Sequence, residues 1–276
     1  MNTDWMAAIN ADTPINWLAM PGTHDTMTAP CEQVYYHTQN LTLPEQLDAG
    51  VRYLDLRITK NLVAAHREWI SDISFASILE TIRDFLAQHP SEVIVARIQN
   101  ANERKDDYPE YGQAILSEIK KNLDLFWVPG KGWPTLTQAR GKIVALECSP
   151  AEYGLTRVDG QRWASAWHEN PLLEIQDLWD GPSIEAKREA ILTAAIPRDP
   201  DPDVLVVNHI SASNGELVNP VSYADELNPY TAGLLDGIGA VASDRSGRRI
   251  GAGLYAFDFV DADLSAKVIA LNLPQG

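Results

Sequence analysis

Residues 51–58, Val51-Arg52-Tyr53-Leu54-Asp55-Leu56-Arg57-Ile58 (VRYLDLRI), carry the reading of the fold. Valine, leucine, isoleucine and tyrosine crowd a short run without helical spacing, which predicts a strand. Asp55 and Arg57 stand at i and i+2 within it, so both side chains point to the same face. After a tight connection the chain enters Leu62–Ala65, predicted as a second strand with no helix between the two. Parallel neighbours need a long crossover, usually a helix, so at this point the architecture has to depart from a regular βα repeat.

Working outward, similar runs recur at Ile15–Met20, Val93–Ile98, Lys142–Leu146, Leu172–Ile175, Val204–Asn208 and Gly253–Phe259, giving eight predicted strands in all. Helical periodicity lies between several of them, most clearly over Phe75–Gln88, where Ile78, Ile82, Phe85 and Leu86 share a face and Pro90 ends the pattern. Gln113–Lys121, Ser183–Leu192 and Ala262–Leu271 read the same way. Strands and helices alternating over the whole length predict an α/β fold: a distorted, irregular TIM barrel, closed by its eight strands, with residues 1–276 as a single domain. Pro197–Asp203 (PRDPDPD) is an acidic, proline-punctuated loop, too short for a domain linker.

Of 276 residues, 45% are hydrophobic and 22% charged, which suits a globular chain and excludes a disordered one. The 22 Lys and Arg against 38 Asp and Glu leave a net charge of −16, which opposes binding to nucleic acid or to a broadly anionic membrane face. An anionic ligand must therefore meet a local cluster of donors. No run is long enough to span a bilayer, and Met1–Asn10 lacks the basic flank and apolar stretch of a signal peptide. The expectation is a soluble protein, either secreted with its leader removed or cytoplasmic. Cys31 and Cys148 have no metal-ligand spacing and read as free thiols.

Reactive groups in such a barrel sit at the C-terminal ends of the strands. His24 and Asp25 follow the first strand, Asp55 and Arg57 lie on the second, and His66 ends the third. Arg97, Gln99 and Asn100 end the fourth, Gln176, Asp177 and Trp179 the sixth, Asn208 and His209 the seventh, and Asp258 and Asp261 the last. Singly, His24 and His66 read equally well as structural loop histidines. Arg57 is harder to set aside, because a guanidinium in an apolar strand needs an acidic partner or an anionic ligand. Two histidines, an arginine and several carboxylates at one barrel mouth make an acid/base site for a phosphate ester.

Pro21–Thr26 (PGTHDT), Gln46–Arg57 (QLDAGVRYLDLR), His66 and Ser91–Gln99 (SEVIVARIQ) resemble, in order and spacing, the catalytic X region of phosphatidylinositol-specific phospholipases C. Ala139–Glu147 (ARGKIVALE), Ile175-Gln176-Asp177, Asn208–Ser211 and Ala256-Phe257-Asp258 are similar to the remaining segments of the single-domain bacterial members. The resemblance implies a distorted TIM barrel that cleaves phosphatidylinositol by attack of the inositol 2-hydroxyl on phosphorus, releasing diacylglycerol. It implies His24 as general base with Asp258 orienting it, and His66 as general acid paired with Asp25. Arg57, with Asp55 beside it, matches the bacterial arginine that stands where eukaryotic relatives bind calcium. Asp177 and Trp179 match the inositol hydroxyl acceptor and the aromatic platform, with Arg97 and Gln99 as further substrate contacts.

No metal and no cofactor are expected, and the expected partner is the phosphatidylinositol headgroup, met transiently at a membrane surface by a monomer. This chain departs from the family pattern in having Arg67-Glu68-Trp69 after the second histidine, where glycine is usual. It also has Gln99 where a lysine is frequent, and Glu147-Cys148 where some relatives carry a basic inositol contact. Trp69, or Trp163 and Trp167 on a loop, are candidate membrane-inserting side chains, and internal packing fits them equally well. Two other readings stand beside this one: a calcium-dependent phospholipase C-like phosphodiesterase, and a catalytically inactive inositol-lipid-binding module.

Overall fold

In the computed structural model, residues 2–197, 201–239 and 250–273 are described, so part of the predicted acidic loop, residues 198–200, lies outside them. β1 (Ala19–Thr23) leads through α1 (Leu43–Asp48) into β2 (Tyr53–Ile58). The hairpin β3 (Val63–His66) and β4 (Trp69–Ser74) follows, then α2 (Phe75–Gln88), β5 (Ile94–Asn100), α3 (Tyr108–Lys121), the single turn α4 (Leu136–Ala139) and β6 (Ile143–Glu147). A small hairpin, β7 (Arg157–Val158) and β8 (Gln161–Arg162), precedes β9 (Ala164–Ala166) and β10 (Leu173–Gln176). The chain ends with α5 (Ile184–Ala195), β11 (Leu205–His209), α6 (Pro220–Gly239), β12 (Gly253–Phe257) and α7 (Ala262–Ala270).

Eight parallel strands form one curled sheet in the order β10-β11-β12-β1-β2-β5-β6-β9. The α/β barrel expected from the sequence is therefore present and distorted, but the expected closure is not: β9 and β10 do not pair. Only residues 167–172 separate these two strands, and a parallel pair needs a crossover of roughly a dozen residues or more. Asn170 folds the link into a tight turn, donating from Nδ2 to Ala166 O at 2.8 Å and accepting from Leu172 N at 3.0 Å.

The count of eight strands was met by a different set. Leu62–Ala65 is not a barrel strand; it meets β2 through the single antiparallel pair Ile58↔Ala64 and belongs to the β3–β4 hairpin. The eighth barrel strand is β9, whose Ala-Ser-Ala sequence offers no apolar run to detect. Residues 15–17 form a 3₁₀ turn, and the first strand starts only at Ala19. The long helix α6 has no continuous helical pattern in the sequence, because Pro229 stands inside it.

Strand alternation decides which residues reach the site. On β2, Leu54, Leu56 and Ile58 pack outward with the helices, in one core that also holds Ile78, Ile82 and Phe85 of α2. Tyr53 faces inward with Met20, Val95, Val144, Val207 and Leu254 in a second core that fills the barrel. Each large apolar side chain so buried contributes roughly 1.5–3 kcal/mol. Asp55 and Arg57 share the parity of Tyr53, so they continue the inward face toward the mouth. Gly22 allows this packing: a Cβ there would stand 2.6 Å from Tyr53 Cδ1 and 3.1 Å from the Tyr255 carbonyl. Beneath the barrel, fully buried Arg52 donates from Nε to Glu92 Oε2 at 2.9 Å, and Glu92 Oε1 accepts from Met6 N at 3.1 Å, tying the N-terminal segment to the sheet.

Candidate active site

A cavity of about 310 Å³ opens at the C-terminal ends of the strands and is lined by His24, Arg57, His66, Arg97, Gln99, Asp177, Trp179 and Asp258, among others. The sequence-predicted residues thus come together, with buried Asp25 and Asp55 beneath the cavity floor. Asp261 does not join them. Its Oδ1 accepts from Leu264 N at 2.7 Å and caps α7.

His24 follows β1, and its amide donates to Phe257 O at 3.0 Å, continuing the β1–β12 ladder. Its carbonyl is held by Gln39 Nε2 and Thr38 Oγ1, at 2.8 and 3.2 Å. The ring is therefore fixed from its backbone outward. Nδ1 lies 2.8 Å from Asp258 Oδ1, and an acceptor-only carboxylate there requires Nδ1–H to donate. That leaves Nε2 with its lone pair toward the cavity, where it accepts from Arg57 Nη2 at 2.8 Å. Asp258 is held in turn by α6, whose Asn228 Nδ2 donates to the Asp258 carbonyl at 2.9 Å.

Asp25 adopts a left-handed backbone, φ 45°, which turns its carboxylate under both imidazoles. Oδ2 lies 3.2 Å from His24 Nε2 and 3.1 Å from His66 Nε2, while Oδ1 pairs with Arg57 Nε. His66 Nδ1–H donates to the Tyr36 carbonyl at 2.9 Å, so the remaining proton of its charged form sits on Nε2, facing Asp25. The two imidazoles are 6.2 Å apart and nearly perpendicular. Tyr36 was not singled out by the sequence: it supplies this backbone carbonyl, for which no sequence signal exists, and its ring lies 5.6 Å from the His66 ring along the cavity wall.

Asp55 accepts from Arg57 Nη2 and from Asp25 N, both at 3.3 Å, and lies 3.7 Å from Arg97 Nη1. Among the described residues, His24, Asp25 and Asp55 could together hold a cation. The Arg57 guanidinium touches all three, so a positive charge of the protein already stands where their ligand atoms converge. Arg97 lies deeper than expected for a substrate contact. Its guanidinium stacks 4.3 Å over Trp167 and donates to Cys148 Sγ at 3.5 Å. Cys31 and Cys148 are both free thiols and both buried.

Charges shift accordingly. Burial works to lower the His24 pKa, but Asp25 and Asp258 outweigh it and the ring titrates above its ordinary value. At His66 burial prevails over Asp25, and the pKa falls below the ordinary value. Burial would raise the Asp55 pKa, yet Arg57 and Arg97 hold the carboxyl far below the usual range. His209, placed by the sequence at the end of a barrel strand, is fully buried, stands 6.0 Å from the His24 ring and 3.8 Å from Asp177 Oδ1, and is lowered by burial to about 4. It is neutral at physiological pH.

Asp177 and Trp179 line the same cavity, where the Arg67 guanidinium lies 5.6 Å over the Trp179 ring. Of the two readings open for Trp163 and Trp167, internal packing is the one observed: both are buried and cannot insert into a membrane. Trp69 is half-buried. No helix among the described residues is long and apolar enough to cross a membrane.

Residues 20–147 match the family Phosphatidylinositol-specific phospholipase C, X domain. The chain is 31% identical over 239 residues to the 1-phosphatidylinositol phosphodiesterase of Listeria monocytogenes, covering 81% of this chain and 72% of that protein. It is 32% identical over 185 residues to human PI-PLC X domain-containing protein 1, covering 52% and 56%. The solved structure of the phosphatidylinositol-specific phospholipase C from Listeria monocytogenes superposes with a TM-score of 0.86 at 27% identity, over 98% of each chain. Order of motifs, fold and coverage agree, and the chain belongs to the phosphatidylinositol-specific phospholipase C X-domain family.

Proposed function

We propose that the protein, residues 1–276 acting as one catalytic domain, is a phosphatidylinositol-specific phospholipase C that uses two histidines and no metal. The observation that carries this reading is the shared carboxylate of Asp25, which lies within 3.2 Å of His24 Nε2 and 3.1 Å of His66 Nε2 while pairing with Arg57. A base, an acid and a fixed positive charge thereby face one cavity. Binding alone needs no such pairing, which weighs against an inactive lipid-binding module. Arg57 would repel an ion from the cluster it occupies, which weighs against calcium dependence.

In this mechanism His24 Nε2 takes the proton of the inositol 2-hydroxyl, whose oxygen forms a bond to phosphorus. The bond from phosphorus to the glycerol oxygen breaks, and His66 Nε2–H protonates that oxygen. The products are inositol 1,2-cyclic phosphate and diacylglycerol. Arg57 turns its Nη2 donor from His24 to the non-bridging oxygens, where charge develops in the transition state. Asp258 stabilises the His24 imidazolium that forms. Asp177 accepts from ring hydroxyls and Trp179 covers the apolar face of the ring, with Gln99 on the adjoining wall.

The lipid would be met transiently by a monomer. Exposed Val34, Tyr35, Leu178 and Trp179 support an apolar approach, since Tyr35 and Trp179 also line the cavity mouth and the chain is strongly acidic. The test compares vesicles of phosphatidylinositol with vesicles of phosphatidylcholine, measuring diacylglycerol released. Release from phosphatidylinositol alone is expected, because choline carries no hydroxyl able to attack phosphorus. Equal release from both lipids would refute the mechanism.

A further inference from the structure

The Asp177–Trp179 turn follows β10, an edge strand paired only with β11 and bordering the gap in the barrel. The backbone of the turn is held by the segment after β11, Ser213 N donating to the Trp179 carbonyl at 2.8 Å and Gly181 N to the Ser213 carbonyl at 2.9 Å, while α5 holds Gln176 at its base. Ser183 caps that helix, and its buried face is formed by Lys187, Ile191, Ala194 and Ala195. A lysine is the unexpected member, since lysines are almost never fully buried without a partner.

The Lys187 side chain is completely buried. Its Nζ donates to Gln176 Oε1 at 3.2 Å, and the same oxygen accepts from Leu178 N at 2.8 Å. Gln176 Nε2 donates to Asn208 Oδ1 at 2.8 Å and to the His209 carbonyl at 2.7 Å. Asn208 Nδ2 then donates to Ile191 O at 2.9 Å, which closes the circuit on α5. The acidic groups whose charge reaches Lys187 are Asp177, after β10, and Asp258, after β12, and burial holds the amine down to about 8 against them. Burying an ammonium is costly, and methionine would fill the same space without that cost. The charge therefore has a task.

We propose that Lys187 is a positioning residue: its ammonium clamps Gln176, and with it the turn carrying Asp177 and Trp179, and sets one buried positive charge behind the two site carboxylates Asp177 and Asp258. This rests on the reading of Asp177 and Trp179 as inositol contacts. The clamp makes headgroup recognition depend on a side chain that never touches substrate.

The variants are Lys187→Met, which removes donor and charge, Lys187→Arg, which keeps both, and Lys187→Gln, which keeps a donor without charge should the methionine variant fail to fold. With phosphatidylinositol in mixed micelles, Lys187→Met raises KM about 10-fold and lowers kcat less than about 3-fold. In the folded protein without substrate, carbon-13 titration shows the Asp177 and Asp258 carboxyl pKa values rising by about half a unit in the Met or Gln variant and staying in place in the Arg variant. Carboxyl pKa values unchanged in the neutral variants, or a lowered melting temperature with KM and kcat intact, would overturn the proposal. Should the wild type fail to cleave phosphatidylinositol, the functional reading falls while the carboxyl titration still decides the role of Lys187.

Discussion

Asp25→Asn is the substitution that separates the electrostatics of this site from its shape. Asparagine has nearly the same volume and tolerates the left-handed backbone that residue 25 adopts, φ 45°. The change therefore keeps the shape, removes the charge, and turns one acceptor oxygen into an NH2 donor. That charge lies 3.1 Å from His66 Nε2 and 3.2 Å from His24 Nε2. Arg57 neutralises part of it, so an effective dielectric of about 40–80 is the conservative range, and Coulomb's law then gives about 1.3–2.7 kcal/mol at each ring. That equals a fall of about one to two pKa units for both imidazoles. At pH 8 the singly protonated protein becomes scarcer, and kcat/KM falls about 10- to 100-fold. At pH 5, within the window now shifted down by about one to two units, the singly protonated form is populated again and most of the loss disappears. The assay is kcat/KM for phosphatidylinositol in mixed micelles from pH 5 to 9, with the two rings titrated by proton–nitrogen NMR. A loss of the same size at every pH, or histidine pKa values that do not move, would refute the electrostatic role assigned to Asp25.

Three further outcomes follow. His24→Ala and His66→Ala each lower kcat by about 1,000-fold or more with the melting temperature held within a few degrees, and near-normal turnover in either folded variant would remove that residue from the chemistry. In the wild type, kcat/KM traces a bell with its maximum between about pH 5 and 8. Below it both rings carry protons and the base is lost; above it both are neutral and the acid is lost. Since His24 is raised and His66 lowered, the productive form, with the proton on His66, is the minor singly protonated species, and a flat profile would contradict the pairing. The third outcome concerns stability: burial raises the Glu147 pKa from 4.5 to about 7, so the folded state binds the extra proton and stability declines as pH rises through that window. Glu147→Gln should gain about 2–3 kcal/mol in urea unfolding at pH 8 and nothing at pH 4, and a gain independent of pH would exclude this cause.

The inward face of the barrel was legible because a strand's parity is visible in sequence: once Leu54, Leu56 and Ile58 are seen as a packed face, Asp55 and Arg57 must share the other. His24, His66 and Asp258 were placed by motif order, and the cavity contains all three. What the sequence hid had physical causes. β9 is three small residues whose strand character comes from pairing with β6 alone. The gap beside it follows from a link too short to cross over, a property of distance and not of composition. Asp25 bridging both imidazoles depends on a left-handed backbone at a non-glycine residue, which local propensity disfavours. The Tyr36 carbonyl and the buried amine of Lys187 act through groups that carry no motif.

The central claim is that two histidines and an arginine, without a metal, drive intramolecular attack by the inositol 2-hydroxyl. It is tested most directly by phosphorus NMR of protein exhaustively treated with EDTA and mixed with phosphatidylinositol vesicles. The expected result is the resonance of inositol 1,2-cyclic phosphate growing at the same rate with and without chelator. Activity abolished by EDTA and restored by calcium, or inositol 1-phosphate formed with no cyclic product before it, would contradict the claim.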